Sequence, residues 1–332
     1  MIRKILLITL AITAALAFEP GHEKESYIFS KFQDFLATQN KRYSTFEEYM
    51  ERFKIFRTNY LKMESFSVEQ GKTWSVAMNK FADMTSQEFR RTYLNLDIKV
   101  ADMIRGQSEA LTFSEDTAPA AWDWREQGAV GPVKDQGSCG SCWAFSSVGN
   151  LEGLNFIKNK KFVQFSEQQL VDCDKVDSGC NGGLMENAFA YLKKVGGIET
   201  SKDYPYFARG GACKFNATKS ALKVKGFKFA SSKDENEIKE FLFTTGPLSI
   251  ALNADTLQFY NDGIIDADAS ECDPEGMNHG VTLVGYGSEN GQDFWIVRNS
   301  WGKGWGEQGY FRMARGKGTC GINTYVVSAD LE

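Results

Sequence analysis

From residue 44 the chain alternates polar and apolar positions at helical spacing. Ser44-x-x-Glu47 and Thr45-x-x-Glu48 are overlapping capping boxes. They open a helix on which Glu48, Arg52, Phe56, Asn59 and Met63, three or four apart, share one face. Further helical patterns start at Cys142, run from Ser166 to Val171, and pass from Met185 through Phe189 and Leu192 to a Gly196-Gly197 stop. Near residue 226 the texture changes. Leu248–Leu252, Val281–Val284, Phe294–Val297 and Tyr310–Met313 read as strands between glycine turns, interrupted by one helix near Glu235–Phe243. A mostly helical half (118–226) followed by a mostly β half (227–332) predicts an α+β chain.

Ahead of these halves the composition differs. Met1-Ile2-Arg3-Lys4 is basic, Ile5–Leu16 is apolar, and Ala15-Leu16-Ala17 supplies small residues. This predicts a signal peptide over 1–17, shorter than the ~20 residues of a membrane span. The chain is thereby expected in the secretory pathway, where disulfides persist. Residues 18–117 hold no cysteine and little glycine, and Glu109–Thr117 has a linker-like composition. A net charge of −5 argues against nucleic acid as a partner. Asn216-Ala217-Thr218 is a candidate glycosylation sequon.

The chemistry concentrates in Gln136-Gly137-Ser138-Cys139-Gly140-Ser141-Cys142-Trp143. A cysteine opening a helix has its thiolate favoured by free N–H groups and the macrodipole, and the thiolate is the nucleophile. C-G-[SA]-C-[WY] is a local signature of papain-type proteases, and Cys139–Trp143 matches it in full. His279 is the only histidine after residue 22, and Asn299 follows within Asn299-Ser300-Trp301-Gly302. A thiol, a base, a polar residue to orient the base and a donor for an oxyanion (Gln136) make up an acyl-transfer set. Zinc ligation is poorly supplied, since no second C-x-x-C exists, and no βαβ pattern supports a redox pair. No metal or organic cofactor is called for.

With these motifs in place the chain resembles the papain-family cysteine proteases, closest to the L-type cathepsins. The resemblance implies a two-domain fold with a helical left domain, a β-barrel-like right domain and an active-site cleft between them, preceded by a helical prodomain. It implies an inhibitory prosegment over 18–117 and a peptidase domain over 118–332. Glu48, Arg52, Phe56 and Asn59 fit the family's interrupted prosegment motif; Met63 and Ser67 depart from it. Ala77-Met78-Asn79-Lys80-Phe81-Ala82-Asp83 resembles a second motif, and the prosegment tail is expected to run through the cleft against the substrate direction. Cys139–Cys180, Cys173–Cys213 and Cys272–Cys320 are the implied disulfides, leaving Cys142 free as nucleophile.

The same resemblance gives the remaining roles. His279 is the implied base and acid, Asn299 its orienting partner, and Trp301 the shield of their hydrogen bond. Gln136 and the Cys142 N–H form the oxyanion hole. Gly182 and Gly183 are the strip that pairs with extended substrate, and Leu184, Met185, Ala251, Met277 and Tyr325 wall the specificity pocket. Tyr325 at its base predicts a shallow apolar pocket that prefers leucine or valine. Expected partners are polypeptide substrates, the chain's own prosegment and cystatin-like inhibitors. The expected form is a monomer in a lysosome-like organelle or outside the cell, activated by prosegment removal in acid. The alternatives are an exopeptidase, an inactive binder, an acyl-transferring relative and a structural secreted protein.

Overall fold

The structure is a computed structural model that describes residues 22–67, 71–96, 109–111, 117–230 and 232–332; the expected signal peptide lies outside them. Two compact units emerge. Among the described residues, one comprises 22–67 together with 76–85, the other 71–75 together with 86–96, 109–111, 117–230 and 232–332.

The first unit is built on α1 (His22–Thr38) and α2 (Phe46–Ser67). The capping box at the start of α2 forms with a shifted register. Thr45 Oγ1 accepts the Glu48 N–H at 3.1 Å, while Glu48 Oε2 reaches back to the Ser44 N–H at 2.8 Å. Phe56, Asn59 and Met63 are buried, as the helical spacing predicts. Phe56 joins Ile28, Phe32, Phe35 and Ala82 in a core of its own. Asn59 Nδ2 donates to the carbonyls of Ala82 and Met84, both at 2.9 Å. Asp83 accepts from Lys41 Nζ and from Tyr43 Oη at 2.7 Å. These bonds tie the second expected motif to the helix pair.

Among the described residues, ten strands form one sheet in the second unit. They are β1 (Trp74–Val76), β2 (Glu109–Leu111), β3 (Trp122–Asp123), β4 (Val224–Ala230), β5 (Leu248–Leu252), β6 (Tyr260–Ile265), β7 (His279–Glu289), β8 (Gln292–Arg298), β9 (Tyr310–Ala314) and β10 (Tyr325–Leu331). The order is β1-β6-β9-β8-β7-β5-β10-β4-β2, with β3 beside β7. The sheet is open, which corrects the expected barrel-like closure. Towards its ends the pairing is parallel: β6 with β9 at Ile264 and Ile265, and β4 with the edge strand β2. Two further differences concern boundaries. Trp122–Asp123, expected in the helical half, pairs with β7. Residues 71–75 and 86–96, within the expected prosegment, belong to this second unit. Thr73 exchanges backbone and side-chain bonds with Ile264, and α3 (Ser86–Tyr93) holds Arg90 against Asp255.

The helices are α4 (Cys142–Asn159), α5 (Glu167–Cys173), α6 (Met185–Val195) and α7 (Glu235–Thr245). Every residue of α4 from Cys142 to Asn155 is buried, the mark of a central helix rather than an amphipathic surface one. Its glycines let it approach the sheet. A Cβ on Gly149 would stand 2.4 Å from Thr282 Oγ1 of β7. Cys142, at the first position of α4, is thereby held against the first residues of β7. Ser166 caps α5 by accepting the Gln169 N–H, and Gly196 ends α6 in the left-handed region.

Candidate active site

His279 and Gly280 open β7, and Gly280 lies against Cys142 and Trp143. A Cβ on Gly280 would lie 3.4 Å from the Trp143 backbone, and the Gly280 N–H is directed at the Cys142 sulfur. His279 Nε2 is 2.9 Å from Asn299 Oδ1, which also accepts the Ser300 N–H at 2.8 Å. The Trp301 ring lies over the imidazole, with centroids 4.8 Å apart and planes tilted by 30°. Behind it Trp305 packs edge-on against Trp301. The bond between His279 and Asn299 is therefore screened from water on that side. Cys142, His279 and Gln136 are wholly buried, and Asn299 nearly so.

Gln136 reaches the same place from the loop before α4. Its Nε2 donates to the Cys139 carbonyl at 3.0 Å, and its Oε1 accepts from Ser300 Oγ at 2.7 Å. Tyr206 Oη donates to the Gln136 carbonyl and contacts Ser141 Oγ. Lys134, two residues earlier, bridges Glu152 of α4 and Glu167 of α5, both at 2.6 Å. The side-chain amide is thus held on both its atoms and its loop is anchored to two helices. Ser141, Ser300 and Tyr206 carry this support, and no sequence signal distinguished them except adjacency to Cys142 and Asn299.

The bridges are Cys139–Cys180, Cys173–Cys213 and Cys272–Cys320, and Cys142 carries the one free thiol. Tyr325 and Ala251 are direct cross-strand neighbours, as are Ala251 and Gly280, so Tyr325 and Ala251 side chains share a face of the sheet. Leu184, Met185, Ala251 and Tyr325 are all buried in one cluster, against which Met277 packs. The Tyr325 ring meets Phe229 edge-on at 5.4 Å. Asn216 is exposed, and its Oδ1 accepts from the Thr218 N–H and hydroxyl.

The segment 86–96 covers the site. Phe89 and Tyr93 pack edge-on against Trp301, with centroids 5.2 and 6.2 Å away. Leu96 bridges Gly183 in parallel register, and its N–H donates to the Asn278 carbonyl at 3.2 Å. The approach at Gly182 is so close that a Cβ there would fall 1.9 Å from the Asn95 carbonyl oxygen. The Leu96 side chain packs against the cluster that contains the pocket residues. Sequence reasoning anticipated a tail in the cleft but named none of these residues, which carry no motif.

This cover sets the charge state. Burial pushes the Cys142 thiol up from 9.0 to about 11, against the opposing N–H groups of Gly280, Trp143, Asn95 and its own residue. Burial likewise pushes His279 down from 6.5 to about 4, although Asn299 and the Tyr93 carbonyl favour the imidazolium. Thiol and imidazole are both neutral here between those limits.

The family model described as "Papain family cysteine protease" matches residues 118–329, and that of the "Cathepsin propeptide inhibitor domain (I29)" matches 32–89. The chain is 41% identical to "Cysteine proteinase 1" of Dictyostelium discoideum, over 97% of this chain and 98% of that one. It is 42% identical to "Cysteine proteinase 15A" of Pisum sativum, over 89% of this chain and 84% of that one. Digestive procathepsin L2 proteinase from the larval midgut of Tenebrio molitor superposes with a TM-score of 0.86 at 36% identity, covering 92% of this chain and all of that one. The chain belongs to the papain family of cysteine proteases and carries the inhibitory propeptide domain of the cathepsins.

Proposed function

We propose that this chain is the proenzyme of a cysteine endopeptidase in which Cys142 attacks the peptide carbonyl and forms an acyl-enzyme. The observation that carries the reading is the free thiol at the start of α4, met by the N–H of Gly280 next to a β7 histidine bonded to Asn299, with the chain's own residues 86–96 over the site. Once the cover leaves, water solvates the pair, the thiol proton passes to His279, and the imidazolium later protonates the leaving amine. His279 then takes a proton from the water that hydrolyses the acyl group. Asn299 orients the ring, Trp301 shields that bond, and Gln136 Nε2 with the Cys142 N–H receives the oxyanion.

Substrate pairs in extended form with Gly182 and Gly183, and its side chain enters the pocket of Leu184, Met185, Ala251, Met277 and Tyr325. Tyr325 lies opposite Ala251 with its ring braced on Phe229, which favours a shallow apolar pocket. The mature enzyme begins near residue 118, acts as a monomer in the secretory pathway, carries glycan on Asn216 and is inhibited by cystatin-like proteins. The test is acid activation of the purified protein, titration of its thiol, and mapping of cleavages on a long unstructured polypeptide. Internal cleavages abolished by a thiol alkylator are expected. Trimming from one end only would replace this reading with an exopeptidase.

A further inference from the structure

The strip at Gly182–Gly183 is pinned from behind by a carboxyl group. Asp177 Oδ1 accepts the Leu184 N–H at 3.0 Å and Asn187 Nδ2 at 2.9 Å. A Cβ on Gly183 would stand 2.6 Å from Asp177 Cγ, so nothing separates the strip from that carboxyl. The Ser178 N–H, one residue on, donates to the Gly182 carbonyl at 2.9 Å. Asp174, in the same turn after α5, uses Oδ1 to accept the Val176 N–H at 2.9 Å. The other oxygens, Asp174 Oδ2 and Asp177 Oδ2, are buried and receive no donor. The two carboxyls sit in one turn and each shifts the other's protonation. Two such acceptors can bond to each other only when one of them holds a proton.

We propose that Asp174 and Asp177 share one proton, and that this acid–carboxylate pair is the positioning device of the substrate strip, so that losing the proton raises the KM for peptides. The inference rests on the strip's substrate role given above. Burial first, then the charge of Asp174, lifts Asp177 from 3.8 to about 8, against its bonds from Asn187 and Leu184. Burial also raises Asp174, opposed by the Val176 and Asp177 N–H groups, the Asp177 carboxyl and the Lys175 charge. Other groups face the pair from the packed elements. Lys175 in the turn donates to the Asp172 carbonyl, while α6 brings Asn187, the Tyr191 hydroxyl and the buried Glu186. The Trp143 indole of α4 holds the Gly179 carbonyl at 3.1 Å. A raised carboxyl keeps its proton in acid and loses it as pH rises through its folded value. Above about 8 two buried carboxylates would confront each other under the strip.

The test measures KM and kcat of the activated enzyme from pH 5.5 to 9, with an uncharged peptide substrate and rates normalised to titrated thiol. Unpairing a buried group under the strip should raise KM by about five-fold or more between pH 6 and 9. Asp174→Asn supplies an N–H to Asp177 without needing the shared proton, and should hold that rise to about two-fold or less. A purely structural role would shift KM equally at every pH. A flat wild-type KM overturns the proposal without any variant, and so does an undiminished rise in folded Asp174→Asn. If that variant does not fold, Asp177→Asn makes the same comparison. A protein that cleaves peptides with flat KM leaves the proposed function standing; one that cleaves nothing at any pH removes both.

Discussion

Acid should uncover the active site through His279 itself. In the covered form burial holds its pKa at about 4, against 6.5 for an ordinary imidazole. The unfolded or uncovered form therefore binds more protons across that window, and the covered form loses stability as pH falls from 6.5 towards 4. The full difference, about 2.5 units, corresponds to ~3 kcal/mol. Two-state proton linkage makes opening about 60-fold more favourable at pH 4.5 than at pH 7. The perturbation is best read in Cys142→Ala, which cannot process itself and has no thiolate to pair with the imidazolium. Amide exchange of Leu96, whose N–H bonds to the Asn278 carbonyl, reports opening of the cover. After correction for intrinsic exchange rates, its protection should drop by about that factor between the two pH values. His279→Gln in the same background should remove most of the change and thereby exclude other acids, such as Asp255 at Arg90. A protection factor that falls by less than about three-fold would refute the linkage.

Other outcomes follow from the same geometry. The proform thiol, raised from 9.0 to about 11, should alkylate at pH 7 at least about 100-fold more slowly than an unperturbed cysteine, scored by intact mass. A rate matching a simple thiol would show that the cover does not bury it. Purified Cys142→Ala should stay a folded, unprocessed precursor in acid; self-cleavage at the normal rate would remove Cys142 from its role. Tyr325→Ala should deepen the pocket and raise the kcat/KM ratio of phenylalanine over leucine substrates by ten-fold or so, since one methylene of misfit is worth ~1–3 kcal/mol. An unchanged ratio would place Tyr325 in the core alone.

The helices and central strands were legible because their periodicity is strong and their ends are marked. Leu248–Leu252 and the Gly196 stop fall where the pattern puts them. The strand at Val281–Val284 extends to His279–Glu289, because β5 and β8 pair along its whole length. Propensity alone does not carry that information. The tiny strand at Trp122 and the edge contact at Thr73 depend on partners far away in sequence. At the site, Cys142, Gln136, His279 and Asn299 stand out by residue type and order, and the fold brings them together. Its electrostatic state did not stand out. The thiolate favoured at a helix start presumes solvent, and the groups that lie against the thiol, the imidazole and Gly183 include Asn95, Tyr93 and Leu96, none of which has a recognisable pattern. Asp174 and Asp177 carry no sequence motif, and it is burial in the fold that leaves two of their oxygens without water.

Leu96 lies on Gly183 as part of the same polypeptide, and that changes the arithmetic of release. While the backbone is intact, the covering strand rebinds at an effective concentration of the order of mM, regardless of how dilute the protein is. A single cut between cover and catalytic unit turns this first-order return into a second-order one. At nM–μM protein the severed strand then departs by mass action unless its own affinity is high. Dilution would therefore drive activation forward after the first cut and do nothing before it, so maturation works as a ratchet.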